Sequence, residues 1–297
     1  MALGSLKDNL AACRELDARQ LGLGLPKGLS LTWLGTAGYV LSYEGHTLLI
    51  DPYVSRASVR DVYRRKRLTN DGALLDRLVP RASAILVGHT HFDHALDVPA
   101  LARRDGCKAY GSRSLVRLMD IHGSRDSAVQ VEHGRRYDIG PFEVTFIESL
   151  HAKLLLGLAV PMDGEITCEH LDALNPSTYH CGTVYGIHIR VAGATFYHQG
   201  SANLVEDRIP FRRVDYLLMG IAGRRFTRDY TARTVRALDP RVVIPTHYDD
   251  FFRPLLHPMG FSFNVRFDRF RDEVARFSRA LPMRTLDPLV AVAADDA

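Results

Sequence analysis

The sequence predicts an α/β protein in which helices cover β-sheets. Two observations indicate this class. Short strands joined by tight turns occupy residues 29–50, and a strand–helix–strand pattern runs from 216 to 244. No Pro- or Ser-rich linker, internal repeat or low-complexity tract divides the chain, so we expect a single domain over residues 1–297.

The N-terminal part begins with a predicted helix followed by three strands. Residues 5–20 have the spacing of an amphipathic helix, and the glycines and proline of 22–28 end this lead-in segment. The pair Glu44-Gly45 predicts a tight hairpin between the second and third strands. The three predicted strands are Leu29–Leu34, Gly38–Tyr43 and His46–Ile50.

The rest of the chain alternates helices and strands. We predict helices over Arg56–Leu68, Asp71–Leu78 and Arg228–Leu238, and strands over Ala84–Val87, Val184–Val191, Ala194–His198, Tyr216–Met219 and Val242–Ile244. Aromatic and apolar residues at steps of four and three from Phe263 to Phe277 predict a helix with one buried face.

The composition is that of an ordinary globular protein. Apolar residues make up 46% and charged residues 24%, which excludes disordered, collagen-like and disulfide-scaffold classes. The net charge of +4 is too small to indicate nucleic-acid binding. Four scattered cysteines without a C-x-x-C pair favour free thiols in a reducing, cytoplasmic compartment. We expect neither a signal peptide nor a membrane span, since the longest apolar stretch, Leu154–Met162, is about half the length needed.

One segment carries the residues for chemistry. His89-x-His91-x-Asp93-His94 directly follows the predicted apolar strand and Gly88. In an extended chain His89 and His91 point to the same side, and a turn can bring Asp93 and His94 to face the same cavity. Three imidazoles and a carboxylate suit zinc, or another first-row metal such as iron or manganese. A polar turn that holds histidines by chance is the less favoured alternative.

This segment resembles the signature of the metallo-β-lactamase-fold hydrolases. Leu31–Val40 and Leu48–Pro52 are similar to the opening strands of the branch that contains ascorbate-6-phosphate lactonase and the N-acyl-phosphatidylethanolamine-hydrolysing phospholipase D. His151 and His247 match later metal ligands of the family. The resemblance implies an αββα sandwich with metals in a cleft at one edge of its two sheets.

The same resemblance implies two sets of ligands and a nearby insertion. The first metal site would be His89, His91 and His151, and the second Asp93, His94 and His247. The polar insertion 163–183 is expected near the cleft, where His170 and His180 either contact the substrate or are solvated.

Ser201 departs from the family pattern, which has a metal-bridging Asp at this position. A neutral hydroxyl is a poor bridge, and the missing carboxylate would have offset the repulsion between two dications. Three outcomes follow. One metal remains, in either site; or two remain on a bridging hydroxide, with lesser contacts from Ser201, Asn203 or His198; or metal and activity are lost. The other six ligands argue against the last outcome.

The resemblance implies hydrolysis of an ester-like bond (lactone, phosphodiester or thioester) by a metal-bound hydroxide. Asp93 is expected to orient that hydroxide or to protonate the leaving group. His198, Tyr248 and Asn203 lie beside ligand segments. We expect them to donate hydrogen bonds to a developing oxyanion, or alternatively to make only local hydrogen bonds.

The substrate is less well defined. Arginine runs at 64–67, 212–213 and 224–225 predict a small anionic substrate if one of them lines the cleft, and a solvated face otherwise. The apolar run Leu154–Pro161 is either a pocket wall for an acyl chain or core. The expected partner is a small molecule rather than nucleic acid, and a homo-oligomer is compatible with the sequence.

Two alternatives to hydrolysis concern Ser201. A non-catalytic metal- or ligand-binding module that keeps the fold is the competing hypothesis, and Ser201 is its support. Oxidation at a single iron, as in the sulfur dioxygenases of the family, is not favoured because those members use the Asp that Ser201 replaces.

Overall fold

The structure, a computed structural model, describes residues 6–154, 157–263, 265–278 and 280–294. The strands in these ranges are β1 Ser30–Gly35, β2 Gly38–Tyr43, β3 His46–Ile50, β4 Ala84–Leu86, β5 Lys108–Gly111, β6 Ala128–Gln130, β7 Arg136–Ile139, β8 Phe142–Glu148, β9 Tyr185–Val191, β10 Ala194–Gln199, β11 Tyr216–Gly220, β12 Val242–Thr246 and β13 Ala291–Ala293. The helices are α1 Leu6–Arg14, α2 Ala18–Leu21, α3 Val59–Tyr63, α4 Gly72–Leu78, α5 Phe92–Ala95, α6 Val98–Asp105, α7 Arg113–Ile121, α8 Tyr230–Leu238 and α9 Phe267–Phe277.

The described strands form two mixed sheets. Seven of them make the first sheet, in the order β13-β1-β2-β3-β4-β5-β6, and six make the second, in the order β12-β11-β10-β9-β8-β7. The hairpins are antiparallel, whereas β3 to β6 and β10 to β12 are parallel. Because the carboxyl ends of the parallel strands carry loops, those loops are free to build a site at the sheet edge.

Two apolar cores lie on opposite faces of the first sheet. Leu48 and Ile50 of β3 enter the core shared with the second sheet, and Leu49 between them enters the other core. This alternation follows from the two-residue period of a strand. The outer core is closed by α4, α6 and α7, and apolar residues of α8 and α9 pack with the second sheet. The expected αββα sandwich is therefore confirmed.

The hairpin strands are predicted more accurately than the helices. β2 and β3 have the predicted bounds, and Glu44 and Gly45 between them have φ of 48° and 77°, as a tight hairpin turn requires. The predicted helix 5–20 is interrupted, because Asp17 accepts a hydrogen bond from the Arg19 backbone and begins a new helix. Residue 5 lies outside the described residues.

Two other helix predictions are too long. The helix expected over Arg56–Leu68 is formed only over α3, which has no fully buried residue to stabilise a longer helix. The helix expected from Phe263 begins instead at Phe267. Phe267 and Phe270 are buried, but Phe263 precedes the helix with 80% of its surface exposed.

The helices of the described part of the chain are short. The longest is α9, with 11 residues, and none of these helices combines the length and apolarity of a membrane span.

The four cysteines are free, and Cys13, Cys107 and Cys181 are buried.

A buried ion pair joins the segment after β3 to the loop after β12. The Arg56 guanidinium lies 2.8 Å from the Asp249 carboxylate, which also accepts the Thr36 N–H at 2.8 Å. Gly35 makes room for this pair, because a Cβ at this glycine would lie 2.0 Å from Arg56 Nη2. The absence of a side chain at Gly35 is therefore required by packing.

We predict that Gly35→Ala destabilises the protein by at least about 3 kcal/mol, because the new methyl group would separate a buried ion pair. Gly45→Ala is the matched control. Gly45 has nearly the same φ, 77° against 80°, but open space where its Cβ would lie. Its cost should be limited to backbone strain of roughly 1–2 kcal/mol. Urea unfolding measures both free energies, and equal losses would contradict this account.

Candidate metal centre

The structure brings the six sequence-predicted ligands together at one edge of the sandwich. They come from three segments: the turn after β4 together with α5, the loop after β8, and the loop after β12. Ligand atoms of each group lie within 4.8 Å of one another. The two groups are His89, His91 and His151, and Asp93, His94 and His247.

Backbone carbonyls orient two rings of the first group. His91 Nε2 donates to the Pro161 carbonyl at 2.9 Å, and His151 Nδ1 donates to the Ala152 carbonyl at 2.7 Å. Because a carbonyl only accepts, the other nitrogen of each ring must carry the lone pair. Such outer hydrogen bonds fix the tautomer and orientation of metal-ligating histidines.

Two buried imidazole nitrogens without a hydrogen-bond partner indicate whether these residues fit a metal. His89 Nε2 and His247 Nδ1 are buried, and no hydrogen-bond partner lies within reach in the part of the chain that is described. Buried polar atoms without a partner are rare and costly in proteins. The His89 ring lies 4.9 Å from His91 and 5.0 Å from His151, centroid to centroid. A cation between these imidazoles would satisfy His89, so the donor set fits a metal.

Burial keeps the first group neutral. It lowers the pKa of His91 to about 4 and that of His151 to about 3, and it holds the pKa of His89 well below 6.5. Neutral imidazoles are the form that binds metals. At neutral pH the three rings therefore present lone pairs rather than charges.

The second group combines a carboxylate with imidazoles. Burial acts to raise the pKa of Asp93, but His94 and His247 outweigh it and hold this pKa well below its usual range. Asp93 Oδ2 lies 3.2 Å from His247 Nε2 and 4.0 Å from His94 Nε2. Asp93 is therefore ionised at neutral pH and supplies negative charge at the centre of the site.

A buried carboxylate behind the ligands, Asp51, was not identified from the sequence. Asp51 Oδ1 accepts the Gly88 N–H at 2.6 Å, and Oδ2 lies 2.9 Å from both His94 Nδ1 and His198 Nε2. Burial acts to raise the pKa of Asp51, but these imidazoles hold it well below its usual value. Asp51 belongs to the segment Leu48–Pro52 that resembles the family, and this position was the one feature of the sequence that could have identified it. The sequence does not show its partners, because they come from distant parts of the chain.

Two glycines leave the space that the Asp51 and His198 side chains occupy. A Cβ at Gly200 would lie 2.9 Å from both Asp51 Oδ2 and His198 Nε2. A Cβ at Gly88 would lie 3.1 Å from Asp51 Oδ2. A side chain at either glycine would therefore collide with the Asp51 carboxylate, and at Gly200 also with His198.

The loop after β12 is held by the turn between β1 and β2. The Thr36 carbonyl accepts the backbone N–H of His247 at 2.7 Å and the indole N–H of Trp33 at 3.1 Å. His247 has a φ of 56°, an uncommon conformation for a residue with a side chain. Contacts between the two sheets therefore determine where this ligand lies.

The structure corrects the expected substrate contacts of three residues. His198 is fully buried against Asp51, and Tyr248 is buried beside Trp33, whose ring is tilted by 33° and has its centroid 4.9 Å away. Asn203 Oδ1 accepts the Leu204 N–H at 3.0 Å. None of the three is among the described residues that line the cavity at the ligands. Their side chains make local and core contacts, which was the stated alternative.

Ser201, in contrast, lies at the cavity. Its Oγ accepts the backbone N–H of Ala152 at 3.1 Å, next to the ligand His151. The hydroxyl therefore anchors the His151 loop to the end of β10. A carboxylate at this position would add a negative charge beside the ligands.

The ligands form one wall of a cavity of about 600 Å³. This volume is within the usual range for a small-molecule site, roughly 300–1,000 Å³. Its polar lining residues are His91, Asp93, His151, Ser201, His247, Asp250 and Ser262. Its side-chain-bearing apolar lining residues are Val59, Val62, Phe92, Ala152, Leu154, Pro161, Met162, Ala222, Phe251, Phe252, Phe261 and Phe263.

The arginine runs do not reach this cavity, and the described lining contains neither Arg nor Lys. Residues 64–67 are exposed, and Arg67 pairs with Asp172. Arg224 is buried against Glu273 on α9, whereas Arg225 is exposed. The solvated-face interpretation therefore fits 64–67, and Arg224 has a structural role.

The neighbouring segments meet the expectations only in part. Leu154 and Pro161 of the apolar run line the cavity, but residues 155–156 lie outside the described residues. No residue of the insertion 163–183 belongs to the described lining, so His170 and His180 make no contact there. The aromatic pair Phe251–Phe252 was missed, although it follows the ligand His247 by four residues.

Comparisons with known proteins agree with this geometry. A family model described as "Beta-lactamase superfamily domain" matches residues 30–247. A "UPF0173 metal-dependent hydrolase" of Anaeromyxobacter sp. (strain K) is 30% identical over 241 residues, covering 74% of this chain and 75% of that relative. One from Anaeromyxobacter dehalogenans is 32% identical over 233 residues, with the same coverage.

Solved structures share the fold at low sequence identity. Igni18, a metallo hydrolase from Ignicoccus hospitalis, is 16% identical with a TM-score of 0.59, covering 89% of this chain and 97% of that one. An isothiocyanate hydrolase from Delia radicum gut bacteria is 14% identical with a TM-score of 0.53, covering 89% and 98%. At these identities the likeness concerns the fold alone.

We predict that Asp51→Asn lowers metal affinity by about 10- to 100-fold, because the His94 ring loses its anionic partner. Asp97→Asn is the matched control. Asp97 is also a buried carboxylate, but it bonds the backbone of Val54 and Ser55 rather than a ligand. Competition with a chelator measures metal affinity, and urea unfolding measures stability. Equal losses of affinity in the two variants would contradict a specific role for Asp51.

We predict that Ser201→Asp increases retention of a second metal ion, because the added carboxylate offsets the repulsion between two dications. We expect the wild type to retain a single ion per chain after dialysis, and the variant to retain more. Ser262→Asp is the control, since Ser262 lines the cavity but donates its hydroxyl to the Asp249 carbonyl. Elemental mass spectrometry reports the ratio. Two ions in the wild type, or no gain in Ser201→Asp, would contradict this prediction.

Proposed function

Because the chain belongs to the β-lactamase superfamily of metal-dependent hydrolases, we propose that it hydrolyses an ester-like bond of a small molecule. One observation carries this proposal: two groups of metal-binding side chains border a cavity of about 600 Å³. A lactone, a carboxylic ester or a phosphodiester presents such a bond. The substrate is a small molecule rather than a nucleic acid.

We propose zinc as the metal. His89, His91 and His151 would hold it, and Asp93, His94 and His247 would form the weaker site. Nitrogen and carboxylate donors suit zinc, and they also suit iron or manganese. When bound, such an ion lowers the pKa of a coordinated water to about 7 and polarises the bond to be cleaved.

The side chains of the site have separate tasks. The carbonyls of Pro161 and Ala152 hold the His91 and His151 rings. Asp93 is buried, ionised and part of the cavity wall. In the proposed reaction its carboxylate accepts a proton from the attacking water or returns one to the leaving group. The apolar walls exclude bulk water, which strengthens these electrostatic interactions.

The anionic group that the arginine runs suggested is not part of this proposal at positions away from the metal-binding residues. No cationic side chain belongs to the described lining, so a charge located there would lose its hydration without gaining an ion pair. Asp250 would repel such a group further.

A non-catalytic binding module is the second candidate. The observation that favours it is Ser201, whose hydroxyl accepts the Ala152 N–H where the family's bridging carboxylate is expected. A module of this kind would bind metal and ligand but would not turn the ligand over.

We predict that metal-loaded protein hydrolyses a carboxylic ester, lactone or phosphodiester, and that His91→Ala lowers the rate by more than about 100-fold. A direct ligand should cost more than the 10- to 100-fold loss typical of residues behind the ligands. His170→Ala is the control, because His170 is exposed and outside the described lining. Its rate should match that of the wild type.

The same assay separates the two candidates. No turnover of any of the three bond types by zinc-, iron- or manganese-loaded protein would reject the hydrolase. If metal binding persisted in that case, the binding module would be supported.

A further inference from the structure

We propose that the group beside the scissile bond of the substrate is an uncharged, apolar acyl chain, held against the aromatic wall of the cavity. This inference rests on the proposed function for the position of the bond, and it adds the chemical class of the substrate. Four observations support it: where the aromatic wall begins, which charges the cavity contains, how exposed its mouth is, and how large it is.

The aromatic wall begins at a metal-binding residue. The Phe251 ring lies 5.6 Å from the His247 ring, and the Phe252 ring lies 4.2 Å from Phe251, centroid to centroid. Phe92 lies 6.4 Å from Phe251 and extends the same surface. A group bonded to the reacting carbon would therefore leave the metal-binding residues and meet these rings directly.

The charges in the cavity are of one sign. Apart from the metal-binding residues, Asp250 is the one lining residue with a charged side chain in the described ranges. Its Oδ1 accepts the Phe252 N–H at 3.1 Å. A carboxylate or phosphate on the bound chain would therefore be desolvated without a cationic partner, which is costly. An uncharged chain has no such cost.

The mouth of the cavity exposes apolar side chains. Phe263 is 80% exposed and Val59 is 61% exposed, and both line the cavity. α3, which carries Val59, has no buried residue. Large apolar side chains that border a cavity and face water commonly mark a binding surface. An apolar chain lying across the mouth would cover Phe263 and Val59.

The size of the cavity makes the proposal quantitative. About 600 Å³ admits an acyl chain of several carbons together with the ester group. Each methylene transferred from water to an apolar wall favours binding by roughly fourfold. Affinity should therefore rise with chain length until the chain extends beyond Phe263.

Binding of uncleaved amides tests the inference apart from turnover. Calorimetry on metal-loaded protein would measure acetamide, butyramide, hexanamide and octanamide, and also the monoamide of suberic acid, which carries a terminal carboxylate on the same chain. We expect affinity to rise by about 15-fold at each step, because each step adds two methylenes. With the amide at the metal-binding residues, the suberic monoamide should bind at least about tenfold more weakly than octanamide, because its carboxylate then lies against the apolar wall without a cationic side chain. A flat series, or equal binding of these two compounds, would overturn the inference.

A matched pair of variants tests the mouth. Phe263→Asp replaces an exposed aromatic residue at the cavity, and Tyr63→Asp replaces an aromatic residue that is 88% exposed and outside the described lining. We expect Phe263→Asp to weaken octanamide binding by about tenfold and to leave acetamide binding unchanged. Tyr63→Asp should change neither. Equal effects of the two variants on octanamide binding would show that Phe263 does not contact the bound chain.

Turnover of the matching 4-nitrophenyl esters separates the two proposals. Preference for longer chains in binding, without turnover of these esters or of the lactone and phosphodiester, would reject the hydrolase and keep the apolar site. Turnover that does not depend on chain length, together with flat binding, would keep the hydrolase and overturn the apolar site.

Discussion

The Asp51 carboxylate is the constraint on which the site depends. It ends β3 in the first sheet and contacts His198 of β10 in the second, at 2.9 Å. It also binds Gly88 and His94, on either side of the ligand His91. A buried carboxylate is stable only when its oxygens are fully paired, so these contacts hold both sheets and the motif at one relative position.

Burial keeps the imidazole ligands neutral, whereas neighbouring imidazoles keep the carboxylates ionised. Desolvation keeps His91 and His151 neutral, as metal binding requires. Asp93 and Asp51 remain ionised because imidazoles surround them. The centre therefore has a negative charge at Asp93, a neutral set of rings beside it, and a second carboxylate behind. That second carboxylate, Asp51, is the hydrogen-bonding partner that orients the His94 ring.

The cavity joins this polar centre to an apolar surface. The loop after the parallel strand β12 contributes to both, since His247 and Phe251 lie four residues apart on it. The arginines that suggested an anionic substrate lie elsewhere: Arg224 pairs with Glu273, and Arg67 pairs with Asp172. The electrostatics of this site therefore follow from the few charges in its walls, and the small net positive charge of the whole chain has little bearing on them.

The sequence by itself determined the fold class, the bounds of β2 and β3, and the segment His89–His94. Strand periodicity, turn residues and ligand spacing all act within a few residues, so they can be read locally. The tertiary structure decided the partners of Asp51, the burial of Tyr248, and the exposure of Phe263 at the cavity. These depend on contacts between residues far apart in the chain, such as Asp51 and His198. A local sequence pattern does not show which distant elements pack together.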